Sequence, residues 1–379
     1  MIDGLTFSDN DQMARLTTNM RDYASTVRED LRDATRSGCF PLEIYREMGA
    51  RGWLAPFAPA SDGGLGGGVA EYCAIAEEVA FSGLVSPQIA TQGQRWLLDW
   101  GTAAQRDRYL GPISRGEIVF SESISEPGVG SSLKEMRASA RRDGTDWILQ
   151  GRKTHVNLGH QSDVTLMYAI AEEGLTAFLV DTSLPGFSSH ETAPIGGRML
   201  PTADMVFDDV RVPAGAVLGE VGDGMSTFFS TFNISRLGNA SEAIGTARRA
   251  LSLAVTYAKG RQVGAHRVTD FQGIQWILAD RFSDLYAASL VRDRAAAQAD
   301  AGHDPAFETS LAKKLAIEAA ERTTNDVFAL TGGHGLYFDE EFGQLLHDVK
   351  VLRIGGGSLE VLRNYVARCV LRSPEEVGL

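Results

Sequence analysis

Phe120-Ser121-Glu122-Ser123-Ile124-Ser125-Glu126-Pro127-Gly128-Val129-Gly130-Ser131 is the stretch on which the fold turns. Val119 and Phe120 favour a strand, and they run into a loop of glycines and small polar residues whose backbone N–H groups a flat polar ring or a phosphate can approach closely. The pattern differs on the two sides of this loop. Upstream, Leu16, Met20, Tyr23, Val27 and Leu31 recur at steps of three and four, which predicts one face of a helix beginning near Met13 with Ser8 and Asp9 as caps. Pro41 opens a shorter helix carrying Leu42, Tyr45 and Met48, and the glycine-rich run 63–68 separates it from a helix over 69–81. That run lacks the Lys and Ser/Thr of a P-loop and follows no strand, so it reads as an interhelical turn. Helices continue to about Tyr109.

Downstream, the segments are short, β-branched and broken by turn residues. Asp143-Gly144 predicts a hairpin between 138–140 and 147–149, and 164–170, 176–180 and 205–210 supply further strands before Pro213. After Gly224 the helical period returns, over approximately 243–259, 271–297, 306–330 and 359–371. The chain is therefore α+β, with residues 1–116 helical, 117–224 β-rich and 225–379 helical again.

The 379 residues are 44% hydrophobic, enough for two or three packed units. Charge narrows the function. With 36 basic against 49 acidic residues the net charge is −13, which opposes general nucleic-acid binding because phosphate neutralisation needs an excess of Lys and Arg. Cys39, Cys73 and Cys369 are far apart and form no CxxC pair, so neither a disulfide framework nor a metal site is expected. The amino-terminal residues show no basic segment leading into an apolar one, and no stretch reaches membrane-spanning length. A cytoplasmic protein independent of membranes is the expectation.

Three further motifs accompany the opening loop: Arg261 to Gln272 (Arg-Gln-Val-Gly-Ala-His-Arg-Val-Thr-Asp-Phe-Gln), Thr331-Gly332-Gly333-His334-Gly335, and His347-Asp348-Val349-Lys350. Together with Glu126-Pro127-Gly128-Val129-Gly130-Ser131 they resemble the acyl-CoA dehydrogenase family from the first helices to Arg368. The resemblance implies an N-terminal helical domain, a barrel-like β middle domain and a C-terminal four-helix bundle. It also implies FAD as cofactor, an acyl-CoA or acyl-carrier-protein thioester as substrate, a flavoprotein or oxygen as electron acceptor, and a homodimer or homotetramer.

Carried over position by position, the resemblance places Ile124 and Ser125 at the flavin edge and Ser131 near the substrate. His155 and Asn157 stand where the family has Trp and Thr against the flavin. Arg261 and Gln272 would hold the FAD pyrophosphate of a neighbouring subunit, with Gly332 and Gly333 approaching it by backbone. Ser358 and Glu360 would lie beside the cofactor, and Arg236 at the mouth of the acyl channel. The sequence departs from the family at Gly264-Ala265 for Phe-Gly and at Ala329 for Gln.

The main departure is the base. Removing a proton from an acyl thioester calls for a carboxylate opposite the flavin. The family motif Ile-Tyr-Glu-Gly-Thr becomes Ile354-Gly355-Gly356-Gly357-Ser358, so Gly356 occupies the glutamate's position and its N–H alone is left for the thioester carbonyl. The other seat used in the family, just before Arg236, is Ser235. Glu360, Glu122 and His155 are the remaining acid–base candidates. Three functions stay open: a thioester oxidoreductase with an altered base, possible in a specialised biosynthetic pathway; a flavin monooxygenase on the same fold, which needs no substrate base; and a non-catalytic or half-active subunit of a heteromeric enzyme.

Overall fold

The computed structural model describes residues 11–372 and Glu375. Ser8 and Asp9 lie outside the described residues. The first helical face is divided between α1 (Asp11–Thr26) and α2 (Arg28–Ser37). Val27 leaves helical geometry for one residue, yet its N–H still reaches the Tyr23 carbonyl and its carbonyl still receives Leu31, so the apolar face runs on unbroken. After α3 (Leu42–Ala50), the glycine run forms the expected turn ahead of α4 (Val69–Ser82), followed by α5 (Gln88–Trp100) and α6 (Ala103–Ser114). Trp53, Trp96, Met20 and Met48 pack at the centre of this helical layer.

The β layer begins with β1 (Phe120–Ser123), β2 (Ser139–Asp143) and β3 (Asp146–Asn157). Gly144 takes φ +67 in the β2–β3 hairpin, the conformation an Asp-Gly turn demands. It continues with β4 (Val164–Ala171), β5 (Gly174–Asp181), β6 (Phe187–Thr192), β7 (Thr202–Val212) and β8 (Val217–Leu218). The strands form one sheet in the order β6-β7-β3-β2-β4-β5-β8, and β1 pairs in parallel with β4 on the edge that β2 leaves free. β6 escapes the sequence pattern because Phe187-Ser188-Ser189-His190 carries little apolar alternation and none of its residues is fully buried.

α7 (Gly224–Gly260) is the spine of the second helical layer: 37 residues, about 55 Å at 1.5 Å per residue. A small β9–β10 hairpin (Gln262–Val263, His266–Arg267) leads to α8 (Gln272–Asp300), α9 (Ala306–Thr331), α10 (Phe342–Ile354) and α11 (Leu359–Arg372). Alanines of α7 and α9 pack against one another along their length, letting the helices lie close. α10 was not expected from the sequence. Gly343 at its start and its short apolar run hide the period.

Candidate active site

One stripe of α7, at steps of three and four, walls a cavity of about 530 Å³: Phe232, Ser235, Asn239, Glu242, Thr246 and Arg249. The cavity lies between α7, the α4–α5 region, the end of β1 and α10, and within the range of ~300–1,000 Å³ usual for small-molecule sites. Glu122 and Asn157 enter from the sheet, and Gly355 and Gly356 from the turn after α10. Its walls combine apolar residues such as Ile89, Leu200 and Phe232 with polar and charged ones, six arginines among them.

Five carboxyls line this space; Asp339 and Glu341 are bound to arginines and Asp348 accepts from Gly197 and Gln344, which leaves Glu122 and Glu242. Glu122 comes from β1, beside Leu166 of β4; its Oε1 is occluded and has no hydrogen-bond partner. Burial alone pushes it up to about 8. Glu242 is 7% exposed, and burial pushes it up to about 7 against the opposing hydrogen bond from Ser86.

The glycine turn has an unusual lining. Gly356 and Gly357 adopt φ +68 and +89, conformations that side chains resist. A Cβ placed on Gly356 would collide with Asn239 Nδ2 and come within 3.1 Å of Lys313 Nζ. Lys313, on α9, has no solvent exposure and donates to the carbonyls of Gly355 and, at 2.9 Å, Gly357. Burial, with Arg236 adding a smaller push, lowers it to about 7. Asn239 is 4% exposed and its Nδ2 is buried without a partner. Space that a side chain at 356 would need is thus filled from α7.

The loop after β1 is held by a second buried amine. Lys153 donates to the Ile124 carbonyl at 3.0 Å and to Glu126 Oε1 at 2.9 Å. Glu126 also accepts from the N–H groups of Arg137 and Ala138. Burial works to raise the Glu126 carboxyl, but Lys153 and the two amides hold it below its ordinary value. The same burial depresses Lys153 to about 8 against the pull of Glu126.

Of the residues singled out in the sequence, Glu122, Asn157, Ser235 and Gly356 meet at the cavity. Ser235 spends its hydroxyl on the Phe232 carbonyl at 2.9 Å within its own helix. Ile124 is partly buried against the helical core, and Ser125 ties the loop to β3 through the Thr154 N–H. Ser131 is exposed and lies outside the cavity lining. His155 is exposed at φ +57, beside a register shift in the β3–β7 pairing, a strained backbone of the sort found next to functional sites.

Two positions lie outside the cavity lining. Glu360 is exposed at the start of α11 and bound to Arg353 at 2.8 Å. Arg236 does not line the cavity either. It is buried behind Phe232, stacking 5.1 Å from that ring and donating to Asn233 and Ser310. Ser358 caps α11 with a long hydrogen bond to Val361.

Asn239, Glu242 and Lys313 are absent from the sequence-derived set. A polar residue at every helical turn of an otherwise alanine-rich buried helix is the signal that marks the first two. Lys313 left no such sign.

Arg261, Gly332 and Gly333 meet in a second, shallower groove that shares no lining residue with the cavity. Arg261 is exposed there and has no carboxylate partner among the described residues. A Cβ on Gly332 or Gly333 would touch nothing within 4 Å, so the backbone is open to a ligand. Gln272 is exposed at the start of α8. A guanidinium beside open backbone suits a diphosphate, and a cavity that sets apolar walls beside polar groups such as Asn157 suits a flat heterocycle, so the residues fit FAD. No cluster of potential metal ligands occurs among the described residues, and none of their helices is long and apolar enough to cross a membrane.

Helices, then a sheet, then a helical layer, with a cavity where they join, define a flavoenzyme architecture. The sequence matches the N-terminal, middle and C-terminal domains of acyl-CoA dehydrogenases over residues 10–117, 121–210 and 222–371. It is 33% identical to a 3-(aryl)acrylate reductase of Clostridium sporogenes, covering 93% of this chain and 96% of that one. It is 32% identical to the caffeyl-CoA reductase-Etf complex subunit CarC of Acetobacterium woodii, covering 97% and 99%. The structure superposes on butyryl-CoA dehydrogenase from Megasphaera elsdenii with a TM-score of 0.91 at 25% identity, covering 96% and 99%. The chain belongs to the acyl-CoA dehydrogenase family, whose members act on acyl-CoA thioesters with flavin, and it is a FAD-dependent oxidoreductase.

Proposed function

We propose that this chain oxidises or reduces acyl thioesters at the Cα–Cβ bond without a carboxylate at position 356, using Glu122 as its acid–base group. The observation that carries the reading is the filled seat: Asn239 occupies the space of a side chain at Gly356, and its unpartnered Nδ2 is left to donate to the thioester oxygen. An amide donor at that oxygen stabilises the developing enolate, as an oxyanion hole does. FAD, when bound, supplies the two-electron chemistry. Of the two buried carboxyls at the cavity, Glu122 is the more strongly raised and is held mainly protonated at neutral pH, which suits proton donation and hence the reductive direction. Two relatives that are named reductases agree with that direction.

The Arg261 groove supports a second element of the reading, a homo-oligomer in which each chain lends phosphate-binding groups to its neighbour's cofactor. α8 leaves Trp276, Phe282, Tyr286 and Leu290 exposed, an apolar run suited to burial between copies. An electron-transferring flavoprotein is the proposed redox partner, and CoA or a carrier protein the thioester's handle.

The test is anaerobic flavin absorbance of the FAD-loaded protein with saturated and α,β-unsaturated thioesters on CoA and on carrier protein. A change in flavin redox state with at least one thioester is expected, and Glu122→Gln should slow it by roughly 10²-fold or more while leaving thioester binding intact. Silence across the panel, with oxygen consumption by the reduced protein, would replace this reading with monooxygenation.

A further inference from the structure

Beyond Asn239, the cavity-lining stripe of α7 carries an acid for which the proposed chemistry has no use. Glu242 lies three residues on, about 4.5 Å further along the helix axis, and lines the same cavity. Ser86, from the connection between α4 and α5, donates to Oε1; Oε2 has no partner among the described residues.

Of the cations lining the cavity, Arg32 and Arg36 pair with Glu341 and Asp339, Arg198 donates to the carbonyls of Thr35 and Arg36, and Arg28 has no carboxylate partner among the described residues. Arg249 binds Glu341 at 2.8 Å through Nε and the Phe81 carbonyl at 2.9 Å, and Arg21 holds Glu78 with two bonds of 2.7 Å. The Tyr72 hydroxyl, buried without a hydrogen-bond partner, is close enough for its ionisation to feel Glu242. No positive group offsets the burial of Glu242. A purely apolar chain extending to this point would remove water from a carboxyl and return nothing, a costly arrangement. A ligand with a hydrogen-bond donor at that point would satisfy it.

We propose that Glu242, presented by Ser86, is the specificity site of the acyl cavity and recognises a hydrogen-bond donor, hydroxyl or ammonium, on a short acyl chain. This rests on the acyl-thioester reading above. Both donor types share the interaction, but they differ in what they require of the acid. A hydroxyl is bound by either protonation state. An ammonium selects the carboxylate, so its binding near neutral pH expels a proton from a group otherwise partly protonated.

The test uses FAD-loaded full-length protein and calorimetric binding of propionyl-CoA, 3-hydroxypropionyl-CoA and β-alanyl-CoA. Wild type should bind at least one of the two polar thioesters about 10-fold or more tighter than propionyl-CoA, because a site built for a donor rejects the analogue lacking it. Glu242→Leu should abolish or invert that preference. Glu242→Gln, which keeps shape and polarity, should retain a hydroxyl preference and lose an ammonium preference, separating the two sources. Proton uptake or release measured in two buffers identifies the ammonium case independently. Equal binding of all three thioesters by wild type, or an unchanged preference in Glu242→Leu, overturns the specificity site while leaving the thioester reading intact. Binding of none of them, to wild type or variants, overturns both.

Discussion

Two loops stand at the site, the glycine turn in the cavity wall and the other following the strand that carries Glu122, and each hangs from a lysine with no solvent exposure. Lys153 holds the loop after β1 through the Ile124 carbonyl and the Glu126 carboxylate; Lys313 holds the triple-glycine turn through two carbonyls alone. The first cation is paired. The second is solvated by backbone dipoles, has no carboxylate, and sits near Arg236. A carboxylate at position 356 would begin 3.1 Å from Lys313 Nζ and would be its natural counter-ion. The difference shows that the β1 loop has a complete electrostatic design, whereas the glycine turn holds a buried amine with no carboxylate partner.

Breaking the complete pair should cost most. Lys153→Met leaves Glu126 buried with only two amide donors, and removing one partner of a buried pair typically costs ~3–5 kcal/mol. Chemical denaturation of the FAD-loaded protein at fixed FAD concentration measures this. A loss no larger than that of Lys313→Met would show that the two lysines are equivalent after all.

Lys313→Met should cost less, ~1–3 kcal/mol, because losing two hydrogen bonds is partly offset by removing an unpaired buried ammonium. The pH dependence distinguishes the two effects. The folded value of Lys313, about 7, lies below its ordinary 10.5, so between these limits the unfolded chain binds the extra proton. Stability should therefore rise with pH from about 7 towards 10.5 through this group, and burial of the charged form is most costly below that window. In Lys313→Met this part of the rise should vanish; an unchanged pH profile would mean that the amine is not desolvated as the structure indicates. Glu122 works in the opposite sense. Raised from 4.5 to about 8, it favours folding at low pH and loses that contribution as pH climbs between the two values, so Glu122→Gln should flatten the decline.

The contrast between the loops also accounts for what could be read from the sequence. Glu126-Pro127-Gly128-Val129-Gly130-Ser131 is contiguous, and its chemistry sits in neighbouring residues, so both the loop and the helix-sheet-helix order around it were legible. The glycine turn was legible only as an absence at Gly356. Its supports, Asn239 on α7 and Lys313 on α9, are 117 and 43 residues away in the chain, and local pattern says nothing about such meetings. The place of Arg236 was illegible for a related reason: a helix position fixes a face, but Asn233, Ser310 and the Phe232 ring determine where the guanidinium goes. The Arg353 bond that places Glu360 was equally illegible.

The smallest effect examines the filled seat itself. Gly356→Ala places a methyl in a left-handed backbone conformation, which costs ~1–2 kcal/mol for an L-residue, and drives it into the Asn239 amide. Asn239→Ala removes that obstacle and an unsatisfied buried donor together, so alone it should be nearly neutral. Combined, the two substitutions should cost less than their sum, because the double variant keeps the backbone strain and loses the collision. A coupling on the order of 1 kcal/mol in the double-mutant cycle is expected. Strict additivity would mean that the turn moves aside to accept a side chain, and then the absence of a carboxylate at 356 would owe nothing to Asn239.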